Sequence, residues 1–267
     1  MDYQRTIDHL IEWAASDSNV RAVVLTGSAA EGTAHPLSDR DLELHVRDAA
    51  PLTRDDSWWS ELGEVLAVER LENAEGHTTR LVYYVGGKLD FTLIPVGASS
   101  GQYDRPFSVL LDKDGVTEGF ALIAAAITAP TQEAFDECCN WAAAAAIMAA
   151  KAIVRDEPWS EMIRWRDFSD ELLRMIEWEH SARDDGARDV RFLGSRMRTW
   201  MDPELQRTLV ENAPRFGQDN AHSLIALLTL FTQLASRVAA AAGLQAFALD
   251  HVRAEVLRIL GRRTLQH

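Results

Sequence analysis

Val20-Arg21-Ala22-Val23-Val24-Leu25-Thr26-Gly27-Ser28, then ten residues, then Asp39-Arg40-Asp41-Leu42-Glu43-Leu44-His45-Val46 is the stretch on which the fold turns. The apolar run from Ala22 to Leu25 reads as part of a buried strand over Val20 to Thr26, and Gly27-Ser28 turns the chain out of it. From Asp41 to Val46, acidic or polar residues (Asp41, Glu43, His45) alternate with apolar ones (Leu42, Leu44, Val46). That alternation is the pattern of a strand with one dry face.

On such a strand Asp39 and Asp41, two residues apart, leave the same face, and Arg40 leaves the other. Two carboxylates this close repel each other unless a cation neutralises them. Mg²⁺ takes oxygen ligands from one or two carboxylates together with substrate phosphates, so the pair invites a metal-bound triphosphate. Gly27 lets backbone approach a phosphate without a Cβ in the way, and Ser28 can donate from its amide and its hydroxyl. A third carboxylate, Asp90, lies in Lys88-Leu89-Asp90-Phe91-Thr92-Leu93-Ile94, where Leu89, Phe91 and Leu93 share one face and Asp90 points to the other. Beside the first two it would complete a metal site and accept a proton from an attacking hydroxyl.

Outward from this stretch, residues 2–16 carry an amphipathic helical spacing ended by Asp17, Ser18 and Asn19. Trp58 to Leu66 is read as a helix. Strands are expected over Val65 to Arg70, Thr79 to Val85, Lys88 to Pro95 and Ser108 to Leu111, the last closing on the turn Asp112-Lys113-Asp114-Gly115. After Pro130 the chain becomes alanine-rich and strand-poor. Helices are expected there at 131–155, 159–180, 187–200, 203–212, 220–242 and 247–261, with Thr131, Ser160, Asp202 and Asn220 as caps. The fold class is therefore α+β: a strand-rich region with flanking helices up to about residue 115, a helical region after Pro130, and a domain boundary near 115–130.

Composition narrows the function. With 27 basic against 41 acidic residues the net charge is −14, which disfavours nucleic acid as a partner and draws in small polycations. Cys138 and Cys139 are adjacent, so they form neither a disulfide framework nor a metal-spaced pair, and they read as small buried helix residues. Trp58, Trp59, Trp141, Trp159 and Trp165 are read as core or interface residues. Met1-Asp2-Tyr3-Gln4-Arg5 carries no arginine-rich or apolar leader, and no apolar run approaches the ~18–20 residues of a membrane span. A cytoplasmic protein with no membrane partner is the expectation.

These residues resemble the nucleotidyltransferase superfamily that includes DNA polymerase β, and more narrowly the aminoglycoside 6-adenylyltransferases that adenylylate streptomycin. The resemblance runs through Leu25-Thr26-Gly27-Ser28, Ser38-Asp39-Arg40-Asp41-Leu42 and Leu89-Asp90-Phe91-Thr92-Leu93-Ile94-Pro95. It continues in Leu110-Leu111-Asp112-Lys113-Asp114-Gly115, Phe135-Asp136-Glu137-Cys138-Cys139-Asn140, Lys151, and Glu171 through Trp178. It implies a mixed nucleotidyltransferase sheet with flanking helices over 1–125 as the catalytic domain, a substrate-binding helical bundle over 126–267, and Mg²⁺-dependent transfer of AMP from ATP to a hydroxyl of a cationic acceptor, with pyrophosphate released. Asp39 and Asp41 would hold Mg²⁺, Asp90 would be a metal ligand and general base, and Gly27, Ser28 and Lys151 would bind the nucleotide. A single lysine in an alanine-rich helix is by itself a sensible phosphate contact. Glu137 and Asn140, one helical turn apart, are the candidates for binding the acceptor.

The rival readings are the same chemistry on another acceptor, a lincosamide or a metabolite, and a non-catalytic nucleotide-binding or antitoxin-like protein. All three carboxylates and the Gly-Ser turn are intact, which favours the enzyme. The acceptor, the hydroxyl modified, the choice between ATP and GTP, and the oligomeric state stay open at this point.

Overall fold

The computed structural model describes residues 1–72, 77–124, 129–183, 190 and 194–262. The chain divides into two compact units, Met1–Ala126 and Ile127–His267. The boundary expected between residues 125 and 126 lies outside the described residues.

The first unit runs α1 (Tyr3–Ser16), β1 (Val20–Thr26), β2 (Arg40–Val46), α2 (Ala50–Arg54), α3 (Ser57–Ser60), β3 (Val65–Glu72), β4 (Thr78–Tyr84), β5 (Gly87–Pro95), β6 (Gln102–Tyr103), β7 (Phe107–Asp112) and β8 (Ala121–Leu122). Six strands form one sheet in the order β3-β4-β5-β2-β1-β7, and β6 and β8 pair separately. Within the large sheet β2 and β5 are parallel while the other neighbours are antiparallel. The sheet is thus mixed, as expected.

Local chemistry sets these boundaries. Asp2 caps α1, its side chain accepting from the Arg5 amide at 3.3 Å. At the other end Asp17 accepts from the amides of Asn19 (2.6 Å) and Val20 (3.2 Å), which turns the chain straight into β1. One face of the sheet is dry: Leu42, Leu44, Leu89, Phe91, Leu93 and Val82 join Leu10, Ala14, Trp58 and Trp59 in a single buried cluster. Each such large side chain contributes roughly 1.5–3 kcal/mol by leaving water. Trp58 is fixed between the stacked ring of Trp13 (centroids 5.2 Å) and the edge of Phe91 (5.0 Å).

The helix expected over Trp58 to Leu66 is corrected to the single turn of α3. Trp58, Trp59 and Leu62 are buried, but the turn closes at Ser60 with Glu61 as its C-cap, and the chain is extended again by Val65, which pairs with Tyr84. The spacing did not reveal α2 or the short β6–β8 pair.

Among the described residues of the second unit every regular element is a helix: α4 (Gln132–Val154), α5 (Pro158–Arg183), α6 (Met197–Trp200), α7 (Pro203–Glu211), α8 (Ala221–Ala242) and α9 (Leu249–Leu260). Thr131 and Asp202 cap as expected, accepting from Ala134 N and from Glu204 N and Leu205 N. Ser160 does not cap, because α5 already starts at Pro158, a residue pre-set for a first helical turn. Asn220 occupies the cap position of α8 but makes no capping bond, its side chain being engaged elsewhere. Of the helix expected at 187–200, residues 187–189 and 191–193 lie outside the described residues, and α6 is the described helical part.

Cys138 and Cys139 are buried on α4, both thiols pushed up by burial. Trp58, Trp59 and Trp165 are buried as expected, whereas Trp141 (57% exposed) and Trp159 (73%) stand in solvent. Against the expectation from the sequence, α4 and α8 are long and apolar enough to cross a bilayer by length and composition, with mean hydropathy 1.3 and 1.6 over 18 residues. Alanines and cysteines of α4 and leucines of α8 lie together in the core of this unit.

Candidate active site

Strand periodicity builds the site on the face opposite the dry one. The register of β2 against β5 sets Asp41 level with Asp90 and Arg40 level with Leu89. Arg40 goes to the other face, its guanidinium 4.0 Å from the centre of the Tyr3 ring. Asp39, one residue before β2, therefore falls level with Lys88 on the side of Asp41 and Asp90.

Lys88 is the central residue of this cluster. Its Nζ donates to Asp39 Oδ2 at 2.9 Å and to Asp90 Oδ2 at 2.8 Å. Burial opposes its charge, but the hydrogen bonds to Asp90 and Asp39 outweigh burial and hold its pKa above the ordinary lysine value. Burial raises the Asp90 carboxyl to about 6, with Asp39 and Asp41 adding to the rise and Lys88 opposing it. Asp41 is raised as well, first by burial and then by the neighbouring Asp39, with Arg105 and Lys88 pulling the other way.

The turn after β1 presses on this group. Gly27 has φ +72°, and a Cβ placed on it would lie 2.9 Å from Asp41 Oδ2. The glycine is required twice over, by its left-handed backbone and by the closeness of the carboxylate. Gly27 and Ser28 form a 3₁₀ turn with Ala29 that follows directly from Thr26, the residue opposite Asp41 on β1.

Further along β2 the face closes. The Tyr103 hydroxyl donates to Glu43 Oε2 at 2.6 Å, and His45, 1% exposed, lies 5.4 Å from the Phe120 ring. The acidic face is thus covered at its His45 end and open at Asp39, whose side chain is 44% exposed.

The structure brings Gly27, Ser28, Asp39, Asp41 and Asp90 together in the first unit. It does not present the three aspartates as a metal cage: among the described residues no group of three or more His, Cys, Asp or Glu side chains is gathered in that way. In this arrangement the Lys88 ammonium occupies the space between Asp39 and Asp90. The donor chemistry nevertheless suits a hard cation. Asp90 Oδ1 is buried with no hydrogen-bond partner, and Mg²⁺ is ordinarily held by one or two carboxylates plus phosphate oxygens rather than by an all-protein cage.

Lys151, Glu137 and Asn140 belong to the second unit. All three are exposed on α4, on one stripe with Trp141 and Ala144. Asn140 Nδ2 donates to Asp136 O at 2.9 Å. Sequence reasoning missed Lys88, although a lysine two positions before a strand aspartate necessarily shares its face.

The family model for streptomycin adenylyltransferase matches residues 1–254. An aminoglycoside 6-adenylyltransferase of Campylobacter jejuni is 29% identical over 186 residues, which cover 64% of this chain and 65% of that protein. One from Bacillus subtilis (strain 168) is 28% identical over 207 residues, 68% of this chain and 70% of its own length. The chain thus spans just under two thirds of the first relative and slightly more of the second. Among solved structures, an aminoglycoside 6-adenyltransferase from Bacillus subtilis aligns over 97% of this chain and 98% of its own, with 21% identity and a TM-score of 0.48. With the match running from residue 1 to residue 254, the chain belongs to the streptomycin adenylyltransferase family.

Proposed function

We propose that this protein transfers AMP from ATP to a hydroxyl of a cationic, streptomycin-like aminoglycoside and releases pyrophosphate. The observation that carries the reading is the level pairing of Asp41 with Asp90 beside the Gly27 turn, in a chain of this family. Asp39, Asp41 and Asp90 would hold Mg²⁺, which when bound neutralises triphosphate charge and polarises the phosphate under attack.

The chain's own residues carry the remainder. Gly27 leaves room for phosphate against the turn, and the Ser28 amide and hydroxyl donate to it. Asp90, with one buried oxygen free of partners, takes the proton from the acceptor hydroxyl as the oxygen attacks the α-phosphorus and pyrophosphate leaves. Lys151 is assigned to the triphosphate, and Glu137 and Asn140 to the ammonium or guanidinium groups of the acceptor, where charge-assisted hydrogen bonds are the strong ones. The net charge of −14 favours a cationic acceptor. A reaction that draws on cellular ATP belongs in the cytoplasm.

Mass spectrometry of streptomycin incubated with the protein, ATP and Mg²⁺ tests the reading, the expected product carrying one added AMP. A panel that includes other aminoglycosides, a lincosamide and small metabolites, read by pyrophosphate release, separates acceptors. Nucleotide binding with no transfer to any of them would make the protein a binding module instead.

A further inference from the structure

We infer that Lys88 is an internal cation that stands in for the metal: in the metal-free protein its ammonium holds Asp39 and Asp90, and it must give up those contacts before a divalent cation binds there. The inference rests on the reading of the aspartates as metal ligands.

Three carboxylates, Asp39, Asp41 and Asp90, converge on one patch of the sheet, and the Lys88 ammonium is hydrogen-bonded to two of them. Lys88 reaches the patch because it lies two residues before Asp90 on β5 and level with Asp39. Its side chain is 21% exposed, so the ammonium is held at the mouth of the cluster rather than extended into solvent. Its nitrogen lies 5.3 Å from the centre of the Tyr83 ring, the residue opposite it on β4. An ammonium has three donors and no acceptor, so two of them on Asp39 Oδ2 and Asp90 Oδ2 engage oxygens that a divalent ion would also use. Asp90 Oδ1 stays without a partner. One ammonium therefore leaves the cluster under-bonded and short of the charge a divalent ion would bring, as a place-holder would.

A lysine that merely orients the carboxylates and remains in place beside the metal predicts the opposite sign. Its removal would loosen metal binding, whereas removal of a competing cation tightens it.

The test is titration of the full chain with Mn²⁺ alone, followed by electron paramagnetic resonance of the free ion, for the wild type, Lys88→Met and Lys88→Gln. Two neutral replacements guard against one that folds poorly. Thermal melts in a chelator, with and without added Mn²⁺, give a readout independent of turnover. The expected result is Mn²⁺ binding about tenfold tighter in both variants, equivalent to about 1.4 kcal/mol. Their melting temperature should be lower than wild type in the chelator, and Mn²⁺ should raise it further than it raises the wild type. Unchanged or weaker binding overturns the inference. Asp90→Asn separates the two failures. If it weakens Mn²⁺ binding while the Lys88 variants do not tighten it, the place-holder falls and the metal reading stands. If none of the four proteins binds Mn²⁺, both fall.

Discussion

Asp41 and Asp90 sit directly level with each other on the parallel neighbours β2 and β5, on the sheet face away from the core. Burial raises both carboxyls, and the other acids of the cluster add to the rise. Lys88 offsets only part of this like-charge crowding, an arrangement that function explains better than stability does. Replacing Asp41 or Asp90 by Asn should leave the melting temperature of the metal-free protein unchanged or higher, while AMP transfer falls by about 10²–10⁴-fold. Parallel thermal melts and pyrophosphate-release rates check this. A variant that keeps more than a tenth of wild-type turnover removes that aspartate from the machinery.

Gly27 and Gly32 form a natural control pair. Both have positive φ, +72° and +75°, but a Cβ on Gly27 would meet Asp41 Oδ2 at 2.9 Å while one on Gly32 would meet nothing within 4 Å. Alanine at either position should destabilise by about 1–2 kcal/mol from the left-handed backbone. Only Gly27→Ala should also displace the carboxylate, and its turnover should drop by about tenfold or more where Gly32→Ala stays near wild type. Urea melts and initial rates distinguish the two effects, and equal losses of turnover in both variants would make the Gly27 contact irrelevant to catalysis.

What could be read from the sequence followed periodicity. The alternation from Asp41 to Val46 and from Leu89 to Ile94 set the two faces of the sheet, and Leu42, Leu44, Leu89, Phe91 and Leu93 are buried while the aspartates lie opposite. The level pairing of Asp41 with Asp90 was not legible, because strand register across a long connection is a tertiary property. Lys88 was legible in principle and missed, since a lysine on a strand ordinarily reads as solvated surface. Trp141 and Trp159, read as core or interface residues, are not core: both project from helices whose buried stripes are already filled by other residues. The helix read over Trp58 to Leu66 stops at Ser60, because from Val65 onward the chain is taken up in pairing with β4.

Asp112, at the end of β7, ties down the following turn and gives a pH signature. One oxygen accepts from the amides of Asp114 (3.2 Å) and Val116 (3.0 Å), the other from the amide (3.0 Å) and hydroxyl (2.6 Å) of Thr117. Burial works against the charge, but the bonds from Thr117, Val116 and Asp114 outweigh it and lower the carboxyl to about 2. A carboxylate depressed in the folded state adds stability that is fully present above its unfolded pKa, about 3.9, and is lost as the pH falls through its folded value. Asp112→Asn should therefore destabilise by about 1–3 kcal/mol at pH 7, with the gap from wild type closing as the pH is lowered from 4 toward 2. Urea denaturation across that range measures it, and a gap independent of pH would mean that the charge of Asp112 contributes nothing.

In the second unit, the Asn220 side chain uses all its hydrogen-bonding capacity but for one lone pair. Its Nδ2 donates to Glu161 Oε1 at 2.6 Å and to Arg215 O at 2.9 Å, and its Oδ1 accepts from Arg215 N at 2.8 Å. Glu161 and Asn220 are 5% and 3% exposed, and the same Glu161 oxygen also accepts from Trp165 Nε1 at 3.1 Å. Asn220→Ala removes three bonds and takes one of those two donors from a buried acid, which should cost about 2–4 kcal/mol. Asn220→Asp keeps the shape but sets a second carboxyl against Glu161, so it too should destabilise the protein at pH 7. Adding Glu161→Gln to Asn220→Asp removes the repulsion and should restore part of the lost stability at pH 7, because the new side-chain amide can then donate to the new carboxylate. A double-mutant cycle by urea denaturation gives the coupling directly, and strict additivity of the two substitutions would show that Glu161 and Asn220 do not act as a pair.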